Sequence, residues 1–184
     1  MKATGIVRRI DELGRVVIPK EIRRTLRIRE SDPLEIFTDK DGGIILKKYS
    51  PIGELSENAQ ELSHSLSTAF SLPSAICDKD TYVAGAGFGK RDISGRGVSE
   101  ELERAIAQRT RLVALEPSEE RYQLLSEPDA AFVCSARVTV PILSQGDAIG
   151  AVCLFSQKPD VGIDPSAVKA CETVAYFLGR QMDQ

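Results

Sequence analysis

Tryptophan is absent from the 184 residues, histidine occurs once, and aromatic residues make up only 5% of the chain. A lone histidine, His64, cannot complete a Ser-His-Asp or Cys-His pair or a metal cluster. It lies two residues from Leu62, roughly 200° around a helix, and so faces solvent. The four cysteines, Cys77, Cys134, Cys153 and Cys171, are scattered without C-x-x-C spacing among apolar neighbours. They read as reduced core residues, not as a disulfide or zinc framework. The longest mostly apolar run, Ile149 to Phe155, is far short of a bilayer span. A secretory signal stretch is also missing, so a cytosolic protein with no membrane partner is expected. Carboxylates are plentiful but unpaired, and neither an enzyme nor a metal or other cofactor is expected. Hydrophobic content of 42% and charged content of 28% sit near the globular average and exclude a disordered chain.

What is present is a charge split. The whole chain carries a net charge of −3, yet its first thirty residues hold nine Lys/Arg against four acids. Those residues are therefore strongly basic and the rest strongly acidic, which points to a polyanion-binding arm on a separate body. Arg8, Arg9, Arg15, Arg23 and Arg24 surround one turn and one helix start, with Lys20 among them. Most charge runs are merely solvated faces. Here acids do not interleave the arginines evenly, and the planar guanidinium fork suits phosphates and guanine edges. Double-stranded DNA is the leading partner.

The spacing predicts strands over 4–10 and 15–18 around the turn Asp11-Glu12-Leu13-Gly14. Pro19 is expected at the first position of a helix, with Ile22 and Leu26 facing inward and Arg23, Arg24 and Arg27 on other faces. Strands over 33–37 and 43–47 flank the hairpin signal Asp41-Gly42. Some fifty residues with few large core side chains make a marginal core, so a dimer that merges two half-cores is expected. Two-fold symmetry would then suit pseudo-palindromic DNA.

Ser50-Pro51-Ile52-Gly53 marks a boundary, giving a domain over 1–50, a linker over 51–55 and a second domain over 56–184. Leu55, Ala59, Leu62, Leu66 and Phe70 form one helical stripe. Strands are expected over 75–78, 81–85, 131–140 and 148–155, the last a central strand because it is apolar on both faces. A short apolar segment over 112–115 leads into an acidic loop over 116–129. Ser99 caps a helix to about Gln108. In the last helix, after Asp164-Pro165, Val168, Cys171, Ala175, Leu178 and Met182 repeat at 3-4-3-4 spacing, with Val174 and Phe177 widening the apolar surface. Core packing is the default for both stripes. Association between subunits is assigned to Leu55, Leu62, Leu66, Phe70, Val168, Cys171, Ala175, Leu178 and Met182. The loop Gly85-Ala86-Gly87-Phe88-Gly89-Lys90-Arg91 fails the Walker pattern: its earlier glycine position is Ala84, and Arg91 follows Lys90 where a hydroxyl is needed. A flexible lid or a plain surface loop is expected.

Thr4 to Arg8, Asp11 to Pro19, Ile22 to Leu26, Leu34 to Phe37 and Ile44 to Tyr49 together resemble the AbrB family of swapped-hairpin transition-state regulators. Pro141-Ile142 and Gly146 to Val152 are similar to the strand pair that closes many GAF domains. The resemblance implies an α+β protein, with an N-terminal swapped-hairpin (looped-hinge) β-barrel dimer and a C-terminal GAF-like antiparallel sheet flanked by helices. It implies DNA contact through Arg8, Arg15, Arg23 and Arg24, to which Arg9 and Lys20 are this sequence's own additions. A regulator of late endospore genes in the forespore is also implied, forming tetramers through helices of the second domain. For an unidentified small-molecule effector of that domain, the candidate contacts are Tyr82, Phe88, Cys134 and Arg137. Two rivals remain: an antitoxin whose C-terminal body occludes a partner protein, and an enzyme on a GAF-like scaffold of the sulfoxide-reductase kind. The second needs reactive cysteines close together.

Overall fold

In a computed structural model, residues 5–26 and 28–182 are described, and the chain divides into two units, Met1–Tyr49 and Ser50–Gln184. Lys2, Thr4 and Arg27 of the basic segment lie outside the described residues.

In the first unit the turn forms as its chemistry requires. The Asp11 carboxylate accepts from the backbone N–H of Leu13 and Arg15, and Gly14 takes a φ of +75°. The strands expected at 4–10 and 15–18 are not formed over their described residues. What they lack is a ladder: the Asp11 N–H reaches the Arg15 carbonyl across the turn, but no strand pairing continues from it among the described residues. Helix α1 (Lys20–Thr25) begins one residue after Pro19, whose carbonyl accepts from the Arg23 N–H at 3.0 Å, so Pro19 precedes the helix instead of starting it. Ile22 is half-buried and Leu26 exposed, against the inward placement expected of both. Strands β1 (Leu34–Thr38) and β2 (Ile44–Lys48) pair antiparallel from Leu34↔Lys48 to Thr38↔Ile44. In the turn, the Asp39 carboxylate accepts from Asp41 and Gly43 N–H, while Gly42 adopts a φ of +80°. Among its described residues only Pro19 is buried, while Val7 is 85% and Ile44 72% exposed.

The second unit starts with residues expected as a linker. They form a helical turn instead, α2 (Pro51–Glu54), capped by Ser50 Oγ on the Gly53 N–H. Ile52 is fully buried in the unit's core, which is why the segment is ordered. Helix α3 (Ser56–Phe70) follows, then β3 (Ser74–Cys77), β4 (Tyr82–Ala86) and α4 (Glu100–Ala107). Ser99 Oγ accepts from the Leu102 N–H, the expected cap. After α4 come β5 (Leu112–Ala114), β6 (Tyr122–Gln123), β7 (Val133–Cys134), β8 (Ala136–Ser144), β9 (Asp147–Ser156) and α5 (Ser166–Gln181). Five strands form one antiparallel sheet in the order β4-β3-β9-β8-β5. The doubly apolar β9 is central, as its composition requires.

Alternation along β9 divides the core. Val152 and Leu154 join residues of α2, α3 and α5 on one face, and Ala151, Cys153 and Phe155 join residues of α4 on the other. The single strand expected at 131–140 is two, β7 and β8, and β8 runs on through Pro141 to Ser144. A proline without an N–H is tolerated there because β5 pairs β8 only at Arg137 to Thr139 and leaves that side of Pro141 without a ladder. The β8–β9 hairpin closes through Gln145 and Gly146, both at positive φ. Gly179 permits the close docking of α5: a Cβ there would run into the Leu143 carbonyl oxygen.

The stripe residues find their partners within this unit. Leu66, Cys171, Ala175 and Leu178 are buried in its own core, and Leu55, Leu62, Phe70, Val168 and Met182 are partly buried against it. That corrects the assignment of Leu66, Cys171, Ala175 and Leu178 to a subunit seam, since a side chain enclosed by its own core has no face left for another chain, whereas the five partly buried residues keep an open part. On α5 the outward apolar residues are Tyr176 and Phe177.

Candidate nucleic-acid interface and C-terminal pocket

The basic side chains singled out in the first unit point into solvent. Arg8, Arg9, Arg15, Lys20, Arg23 and Arg24 are all exposed. Arg15 uses Nε to donate to Asp11 Oδ2 at 2.8 Å, an ion pair open to water that orients the side chain more than it stabilises it. The Asp11 carboxyl lies below the usual carboxylate range, because the backbone and then the side chain of Arg15 donate to it. Arg23 and Arg24 fill the last turn of α1. Among the described residues, the other five bases make no ion pair that would neutralise them. Free guanidinium groups beside a turn and a short helix can bond phosphates bidentately.

The candidate effector contacts separate into two kinds. Tyr82 and Arg137 line one small pocket with Ser99, Leu102, Leu112, Gln123, Leu124, Thr139 and Phe155. Phe88 and Cys134 do not line it. Phe88 is core, its ring 5.6 Å from Phe132 and 6.3 Å from Phe155. It anchors the glycine-rich loop, and Arg91 ties the loop to the Ala131 carbonyl, so the segment is no free lid. Cys134 is fully buried. The Tyr82 hydroxyl donates to the Leu124 carbonyl at 2.9 Å, and burial pushes its pKa up. The partner that sequence reasoning missed is Glu101, whose carboxylate takes both terminal nitrogens of Arg137. The two are 36 positions apart, and no local pattern links them.

All four cysteines are buried as free thiols. Burial drives Cys134 and Cys171 up to about 12 and raises Cys77 well above its ordinary value. Under native conditions at neutral pH, thiol titration should label them slowly, with rapid labelling only after denaturation. One fast equivalent would mean that a cysteine is exposed and activated. His64 is exposed, and among the described residues no cluster of metal-ligating side chains occurs. No described helix is long and apolar enough to cross a membrane.

The family model described as stage V sporulation protein T C-terminal, transcription factor, matches residues 54–183. The chain belongs to the stage V sporulation protein T family. It is 51% identical, over the full length of both chains, to stage V sporulation protein T of Bacillus subtilis (strain 168). A second model, described as antidote-toxin recognition MazE, bacterial antitoxin, matches residues 7–54. The transition state regulatory protein AbrB of the same organism is 58% identical over 69 residues, 34% of this chain and 71% of that protein. The GAF domain of an Acinetobacter phosphoenolpyruvate-protein phosphotransferase superposes with a TM-score of 0.52 at 10% identity, covering 74% of this chain and 84% of that one. The fold is thus an AbrB-type N-terminal domain followed by a GAF-like α+β domain, and the family is one of sporulation transcription regulators.

Proposed function

We propose that the chain binds double-stranded DNA as a symmetric dimer of its N-terminal unit, through Arg8, Arg15, Arg23 and Arg24 with Arg9 and Lys20 beside them. In this role it regulates late sporulation genes, as activator and repressor, in the cytoplasm of the forespore. One observation carries the reading: the first unit exposes Val7, Val16, Val17, Ile36 and Ile44 and, among its described residues, buries only Pro19, while Arg8, Arg9, Arg15, Lys20, Arg23 and Arg24 all stand exposed. Exposed apolar side chains to that extent call for a second copy, and two copies double the positive surface. Phosphate contacts would position the dimer, and DNA shape would add selectivity.

The C-terminal unit acts as a sensor and assembly module that pairs two such dimers into a tetramer. Tyr176 and Phe177 on α5 are the apolar residues open to a neighbouring subunit. A small molecule held beside Arg137 would shift the spacing of the DNA-binding units.

Light scattering tests both levels of assembly. A fragment over residues 1–50 should be a dimer that binds DNA weakly, and the full chain a larger species with higher affinity for paired sites through effective concentration. A monomeric fragment, or a full chain no larger than a dimer, would contradict the scheme. The antitoxin reading has the match at residues 7–54 in its favour. Against it stands a folded unit over Ser50–Gln184 where antitoxins usually carry a short disordered tail.

A further inference from the structure

Arg137 is a charge that cannot leave its place. It lies on β8 with its side chain 10% exposed, facing the first turn of α4. Nη1 donates to Glu101 Oε2 at 2.7 Å and Nη2 to Oε1, the two-pronged geometry by which a guanidinium recognises a carboxylate. The guanidinium carbon sits 3.9 Å from the centroid of the Tyr122 ring, which fixes its plane. Its Nε is buried without a hydrogen-bond partner, alone in this among the described side-chain nitrogens and oxygens. An unpaired buried donor has lost its hydration with nothing in return.

The counterion differs from the cation. Glu101 is 44% exposed and sits on a surface helix, so its carboxylate can swing into water while Arg137 stays enclosed. The pair therefore consists of a fixed cation and a removable anion. Around it the pocket offers Ser99, Gln123 and Thr139 as polar groups and Leu102, Leu112 and Phe155 as an apolar wall. As it stands, the space beside the guanidinium holds about one water molecule. Withdrawal of the Glu101 side chain would enlarge it.

We propose that Arg137 anchors the carboxylate of a small effector with a short apolar tail, and that Glu101 holds that position until the effector displaces it. The proposal rests on the sensor reading above and specifies its ligand class. The effector's carboxylate takes over both Nη bonds, one of its oxygens or a retained water meets Nε, and its tail lies against Leu102, Leu112 and Phe155. Displacing Glu101 frees the first turn of α4 from β8, and this is the change the rest of the chain can read.

Ligand-observed NMR on the full chain tests it with isobutyrate and its neutral isostere isobutyramide. Isobutyrate should bind the wild type, and isobutyramide should not. Glu101→Gln should tighten isobutyrate binding by about tenfold or more, because the internal competitor for a buried cation is gone. Arg137→Gln should abolish it. If that variant fails to fold, the isostere and Glu101→Gln still decide. Equal binding of acid and amide would overturn the carboxylate anchor. Binding of isobutyrate to Glu101→Gln alone would overturn the displacement, leaving Glu101 as a permanent counterion. No binding to either protein would overturn the proposal entirely. DNA affinity measured in the same samples separates this site from the sensor reading: bound isobutyrate that leaves DNA affinity unchanged would defeat the sensor reading and leave the site standing.

Discussion

Arg23→Ala and Arg24→Ala should each leave the fold intact and weaken binding to every DNA sequence by about thirtyfold at moderate salt. Each substitution removes one phosphate bond from either half of a symmetric dimer, on the order of 2 kcal/mol together. Both side chains are exposed in the last turn of α1, away from the half-buried Ile22, so the fold loses no packing. The loss should be uniform across sequences, because phosphate contacts carry no base information. Gel-shift titrations on unrelated duplexes read it directly. Wild-type affinity in both variants would take α1 off the DNA.

Leu178→Glu should unfold the C-terminal unit instead of loosening a subunit seam. Leu178 is fully buried against β8 and β9 in the larger core cluster, beside Cys171 and Ala175. A carboxylate there has neither water nor a cation, and the cost is about 4 kcal/mol or more. Thermal denaturation followed by circular dichroism should show the C-terminal unit lost or its transition lowered by many degrees. A folded variant with altered assembly would restore Leu178 to an interface. Tyr176→Ser, on the exposed side of α5, should by contrast leave the melting curve unchanged.

The difference between these two substitutions marks where the sequence is legible. Periodicity in α5 reveals an apolar stripe, but not whether a sheet of the same chain or a second subunit covers it. Local chemistry is legible where a few neighbouring residues decide the outcome: Asp39 with Gly42 in the hairpin, Ser99 at the start of α4, and the doubly apolar β9 at the sheet's centre. It fails where the decisive partner lies elsewhere. Residues 5–10 and 15–18 have strand composition but form no strand ladder among the described residues. The strand read as ending at 140 continues through Pro141, because the short β5 leaves one side of β8 unpaired there. The basic cluster is visible in composition alone, because charge asymmetry needs no tertiary contact to be read. Of the pocket, Arg137 and Tyr82 are legible but Glu101 is not, since its role follows from a pairing across the fold.

The salt dependence of DNA binding by the full chain bears most directly on the central claim that exposed arginines on a doubled N-terminal unit dock the protein on phosphates. Four matched arginines in each of two chains could neutralise as many as eight phosphates, so log affinity against log salt should fall steeply, with a slope approaching about −7 as its limit. Arg24→Ala should make that slope shallower by about one unit for each phosphate no longer neutralised. A wild-type slope shallower than about −2 would contradict the account, for the arginine cluster would then contribute little to binding.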